Sequence, residues 1–126
     1  MKLRPKKIKA FFSGNVFTSW LAGGKRKMRL TKTLTFTDKN NKEWKAPRNS
    51  IIDGASIPRL FWLFIGSPFV GKYRRASVVH DVYYGTKSEP RKQVDKMFYQ
   101  AMRVDKVNYF KAKAMYYAVR VGGKRW

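Results

Sequence analysis

The chain has 126 residues, and 29 Lys plus Arg stand against 7 Asp plus Glu, a formal net charge of +22. A hydrophobic fraction of 44%, with aromatic residues at 16%, is too apolar for a disordered chain, and the length suits one domain with a modest core. There is no cysteine, which excludes disulfides and thiolate metal sites. No stretch approaches the ~20 apolar residues of a membrane-spanning helix, and so strong a positive field draws polyanions: nucleic acid, an anionic bilayer or an acidic partner.

The opening Met1–Lys7 has the basic start of a signal peptide. Ser13, Gly14, Asn15, Thr18 and Ser19 then break up the apolar run that should follow, so no cleaved signal is expected. A strand is placed within Phe11–Leu21. From 28 to 37, Met28, Leu30, Leu34 and Phe36 alternate with Thr31, Thr33, Thr35 and Thr37, a period of two that predicts a strand. Residues 38 to 42 read as a turn and Glu43 to Ala46 as the returning strand.

From Pro58 onward the signal becomes helical. A first helix is expected from Pro58 through Phe61 to Ile65, stopping at Gly66–Pro68. A second is expected from about Lys72 to Tyr84 with Gly85 as its stop, and a third starting after Ser88-Glu89-Pro90 and running to about Val104. A fourth is expected on Val107, Phe110, Ala114, Tyr117 and Val121, which alternate steps of three and four as an amphipathic stripe does, with Gly122 and Gly123 ending it.

Three of the seven acidic residues gather around the single histidine: Asp53, Asp81 and Asp95 around His80. On a helix, His80 and Tyr84 share a face while Asp81 points about 100° away. Asp95 falls on the next helix, on the side of Val94, Met97, Phe98 and Ala101. A carboxylate placed there can orient the imidazole and stabilise its protonated form, leaving His80 as a general base toward water. Asp53 and Asp81, with a carbonyl from the Gly54 turn, form an oxygen-rich set that suits calcium better than zinc. Taken singly, each residue has a plainer role. Asp53–Gly54 can make a turn, Asp95 can pair with a lysine, and Tyr84 can pack in the core.

The segment His80-Asp81-Val82-Tyr83-Tyr84 resembles the His-Asp-x-x-Tyr helix of phospholipase A2. Val94–Met102 and Met115–Gly122 are similar to later helices of its bacterial and fungal secreted branch, and Asp53–Ser56 stands where that branch binds calcium. The resemblance covers residues 53 to 123. The combined pattern also resembles an uncharacterised domain family of phage and prophage proteins, in which Asp-Gly-Ala-Ser-Ile-Pro and His-Asp recur together. Periodicity predicts an α+β chain, with a small β-rich part at 1–50 before a helical part at 51–126. The phospholipase resemblance implies that the helical part is phospholipase A2-like, with two antiparallel catalytic helices. It implies His80 as base, Asp95 as its orienting partner, Tyr84 as a hydrogen-bond donor to Asp95, and Asp53, Gly54 and Asp81 as ligands of Ca2+. Ala55 and Ser77 stand where the branch has a cysteine pair, and residues 1 to 50 match nothing in it.

The expected function is therefore calcium-dependent, phospholipase A2-like ester hydrolysis at an anionic phospholipid membrane surface, by a phage-encoded protein of the host cytoplasm or virion. Two rivals stand beside it. One is a non-enzymatic basic protein that binds nucleic acid, membrane or virion components through its charge, and the other is a metal-dependent nuclease. Phe61, Trp62, Phe64 and Phe69, flanked by Arg59, Lys72, Arg74 and Arg75, suit either a core or an interfacial patch.

Overall fold

A computed structural model describes residues 8–21, 27–54, 56–58, 62, 71–122 and 126. Among the described residues six short strands come first: β1 (Phe11–Ser13), β2 (Thr18–Trp20), β3 (Met28–Leu30), β4 (Leu34–Thr37), β5 (Glu43–Ala46) and β6 (Ile51–Ile52). They form two antiparallel three-stranded sheets, ordered β1-β4-β5 and β2-β3-β6. A 3-10 turn (Gly71–Tyr73) leads into α1 (Arg74–Thr86), which is followed by α2 (Arg91–Val104) and α3 (Tyr109–Gly122).

The alternation over 28–37 marks the buried side, since Met28, Leu30, Leu34 and Phe36 are all buried, but Thr37 on the other side is buried too. It does not make one strand. The chain leaves the β2-β3-β6 sheet after Leu30 and joins the β1-β4-β5 sheet at Leu34. Thr31 and Thr33 hold this crossing with their hydroxyls, Thr31 Oγ1 donating to Phe17 O and Thr33 Oγ1 accepting from Arg48 N–H. The β4–β5 hairpin is in register from Leu34↔Ala46 to Thr37↔Glu43. Its turn is organised by buried Asp38, whose carboxylate accepts the amides of Asn40 and Lys42 and the indole N–H of Trp44.

The expected split at residue 50 into a small β-rich part and a helical phospholipase A2-like part is wrong for this chain. The strands make two sheets, and the last of them, β6, lies past that boundary and pairs with β3 through Met28↔Ile52. Helix α1 packs on β4, β5 and β6 as well as on α2, so sheets and helices share one hydrophobic core. The physical reason is α1 itself. Ala76, Ser77, Val78, Val79, His80, Asp81 and Val82 are all buried, so the helix has apolar surface to cover on more than one side.

Helix α1 passes through Gly85 and stops at Lys87, whose φ of 54° closes the end with its N–H on Tyr83 O. Helix α2 ends in a Schellman motif: Val107 N–H reaches Met102 O, Lys106 N–H reaches Arg103 O, and Lys106 takes φ 66°. Helix α3 forms, but Ala112, Met115, Ala118 and Val119 meet the core, while Phe110, Tyr117 and Val121 face outward. Its last residue, Gly122, is needed for packing, because a Cβ there would stand 2.9 Å from Pro58 Cγ. No helix among the described residues is long and apolar enough to cross a membrane. The opening Met1–Lys7, Ala55 and the helix expected over 58–65 lie outside the described residues, apart from Pro58 and Trp62. So do Arg59, Phe61, Phe64 and Phe69. Trp62 is half-buried against the core and donates its indole N–H to Ile57 O.

Candidate functional site

The short α1–α2 connection turns the two helices antiparallel and sets His80 and Tyr84 against Asp95. His80 Nε2 lies 2.8 Å from Asp95 Oδ1, and Tyr84 O–H donates to the same oxygen at 2.6 Å. His80 and Asp95 are fully buried. The imidazole is held between the rings of Tyr84 and Phe98, with centroids at 4.2 and 4.4 Å. The other carboxylate oxygen faces two cations that the sequence did not single out. Arg120 of α3 donates to Oδ2 at 2.9 Å, and Arg91 lies 3.9 Å from it. Arg91 also donates to the carbonyls of Val119 and Arg120, satisfying acceptors in the last turn of α3. One buried carboxylate thus ties three helices together.

The electrostatics follow from this packing. Burial pushes the Asp95 carboxyl up, but hydrogen bonds from His80, Tyr84 and Arg120 outweigh it and hold the group below its ordinary value. An ionised Asp95 makes Nε2 the protonated nitrogen of a neutral His80. Burial, opposed by the Asp95 bond, holds His80 below the usual imidazole range. Tyr84 is raised by burial and then by the carboxylate it donates to. Nδ1 of His80 carries the lone pair, and it has no hydrogen-bond partner among the described residues. The C-terminal Trp126 closes over this cluster, its ring edge-on to Tyr84 at 4.6 Å and its indole N–H donating to Glu89 O.

Asp81, the next residue on α1, serves a different element. Its Oδ2 accepts the amide of Asp53 at 2.9 Å and its Oδ1 the amide of Ser56 at 3.2 Å, so it clamps the turn after β6 onto the helix. Burial raises its carboxyl, the two amides pull it down, and the Asp53 carboxylate pushes it up again. Gly54, at φ 76°, spends its carbonyl on Ile57 N–H to close that turn. The structure therefore brings Asp53, Gly54 and Asp81 together, but with amide donors turned toward the carboxylate and the Gly54 oxygen used inside the turn. A calcium shell needs the reverse, carbonyl oxygens turned toward the ion. Among the described residues no group of three or more His, Asp or Glu side chains is placed to hold a metal. As arranged, these residues do not fit the ion.

Arg91, Arg120 and Trp126 escaped the sequence reading. Arg91 precedes Asp95 by four residues on one helix, a spacing that signals an ion pair. Nothing in the sequence distinguishes Arg120 from the other 28 cations.

The pattern of a family described as "Protein of unknown function (DUF1353)" matches residues 28–119. The uncharacterized protein y4jT of Sinorhizobium fredii is 44% identical over 97 residues, 77% of this chain and 29% of that protein. The uncharacterized protein y4iH of the same organism is 33% identical over 115 residues, 91% of this chain and 48% of that protein. The chain thus spans less than half the length of these relatives. No solved structure matches it.

Proposed function

This chain belongs to the DUF1353 family of proteins of unknown function, and we propose that it hydrolyses a phospholipid ester at an anionic membrane surface, with His80 as general base. The observation that carries this reading is the imidazole itself. Asp95 holds Nε2 at 2.8 Å, and the buried Nδ1 has no partner among the described residues. That is the tautomer a water-activating base requires.

In the proposed reaction, Nδ1 takes a proton from water as the oxygen attacks the ester carbonyl carbon. Asp95 stabilises the imidazolium that results, and Tyr84 and Arg120 keep Asp95 in place. When the tetrahedral intermediate collapses, the imidazolium returns the proton to the leaving alkoxide. The likeness to phospholipase A2 lies in this constellation and supports a common chemistry, not a common architecture. The phospholipid substrate is supported by that likeness and by the net charge of +22, which concentrates anionic lipid.

A second reading has its own support. His80 is fully buried, and a buried imidazole–carboxylate pair can simply join helices in a basic, non-enzymatic binder of membrane or nucleic acid. Fatty-acid release from phosphatidylglycerol vesicles, with calcium and with a chelator, separates the two. Hydrolysis that His80→Asn abolishes, in a variant whose melting transition remains cooperative, supports the base. Absence of turnover on anionic and zwitterionic vesicles in both conditions would leave the binder.

A further inference from the structure

The outward face of α3 carries apolar side chains that the fold leaves in water. Phe110 is 78% exposed, Val121 80% and Tyr117 58%. At 100° per residue, positions 110, 117 and 121 fall within about 40° of arc, along about 16 Å of helix. The buried Ala112, Met115 and Val119 lie on the opposite side. Basic residues flank the stripe: Lys111 on one border and Lys113 on the other, with Lys113 Nζ 5.7 Å from the ring of neighbouring Tyr109. The helix has no acidic residue. Of the acids elsewhere on the chain, Asp105 is paired with Arg75 and Glu89 with Lys42.

We propose that this face of α3 is the surface by which the protein docks onto an anionic phospholipid bilayer, with Phe110, Tyr117 and Val121 entering the headgroup–acyl boundary and the flanking lysines meeting the phosphates. The inference rests on the phospholipid reading above and names the surface that reading needs. Charge selects this occupant. A second copy would bring another +22 against the first, whereas an anionic bilayer neutralises it. Shape and chemistry favour lipid over single-stranded nucleic acid. The stripe is convex and its most exposed member is aliphatic, whereas bases stack on aromatic rings along a groove. The position also links surface to site, because Arg120 on this helix is the residue that reaches Asp95.

The test is sedimentation with ether-linked phosphatidylglycerol vesicles, which contain no ester to cleave. Phe110→Ser and Val121→Ser should each lower the partition coefficient about tenfold, the effect of keeping one large apolar side chain in water. Trp20→Ser, at an exposed tryptophan on β2, should leave it unchanged. The three substitutions lie on exposed positions, and equal melting temperatures would show that folding is intact. Phe110→Ser and Val121→Ser binding like the wild type would overturn the inference. So would a loss confined to oligonucleotide binding, or a wild-type dimer that Phe110→Ser dissociates. The outcome is separable from hydrolysis. Selective loss of vesicle binding upholds the docking face even if no ester is cleaved. Turnover of a soluble short-chain ester, with vesicle binding indifferent to Phe110 and Val121, would remove the face and leave the base in place.

Discussion

Asp81 on α1 and Asp95 on α2 are both buried carboxylates, and they solve burial in opposite ways. Asp95 is surrounded by side chains that carry or share charge: His80, Tyr84, Arg91 and Arg120. Asp81 receives two backbone amides and has the Asp53 carboxylate for a neighbour. The first group ends below its ordinary pKa and the second above it. Burial pushes both upward, so the nature of the partners decides the outcome. A carboxylate with cations around it can anchor an imidazole. One that clamps a turn beside another acid is a poorer anion and serves mainly as an acceptor.

The most severe way to break this contrast is to remove Asp95. Asp95→Ala leaves Arg91 and Arg120 without their buried counter-charge and His80 without its acceptor. It should cost about 3–5 kcal/mol in urea unfolding. Asp81→Ala strips two amides of their acceptor and should cost less, about 1–3 kcal/mol. A larger loss at Asp81 than at Asp95 would mean that the turn after β6, and not the three-helix junction, is the keystone.

Titration sharpens the same contrast, because the two sites have opposite signs. His80 is depressed in the folded state, so the stability it contributes is complete above about pH 6.5. That contribution is lost as the pH falls from there toward the folded value, while the unfolded chain takes up the proton first. Asp81 is raised in the folded state, so its ionised form opposes folding at neutral pH, and that opposition is relieved as the pH falls through the raised value. There is one histidine, so a single imidazole resonance reports the first effect. It should titrate below about 6.5 in the wild type, and Asp81→Asn should flatten the opposing acid-side slope in denaturation curves. An imidazole titrating above its ordinary value would show that Asp95 outweighs burial.

The smallest effect is a control at the end of α2, remote from either carboxylate. Lys106 adopts φ 66° in the Schellman motif, where glycine pays no Cβ penalty. Lys106→Gly should stabilise by about 1 kcal/mol, read as a higher melting temperature, and should leave the imidazole resonance where it was.

The pairing of His80 with Asp95 was legible because both residues lie on strongly patterned helices joined by a short connection. Period and antiparallel packing together leave few places for the side chains to go. The β4–β5 hairpin was legible for a similar reason, with alternation on either side of a turn rich in Asn and Lys. The calcium shell was read from residue types alone. Which way a peptide faces in the 53–57 turn is a matter of backbone dihedrals, which residue types do not specify.

The chain's own pattern dictates local structure: the helices near 74–104, the hairpin, the face shared by His80 and Tyr84, and a net charge of +22. The tertiary structure decided the rest. The strand pattern over 28–37 was divided between two sheets, because pairing partners lie far away in the chain and alternation is blind to them. Arg120 was chosen from 29 cations by the approach of α3 to α2. Helix α3 offered two apolar stripes at helical spacing. The one with small side chains, Ala112 and Ala118 beside Met115 and Val119, went inward because it lets the helix pack closely. Phe110, Tyr117 and Val121 were left facing outward.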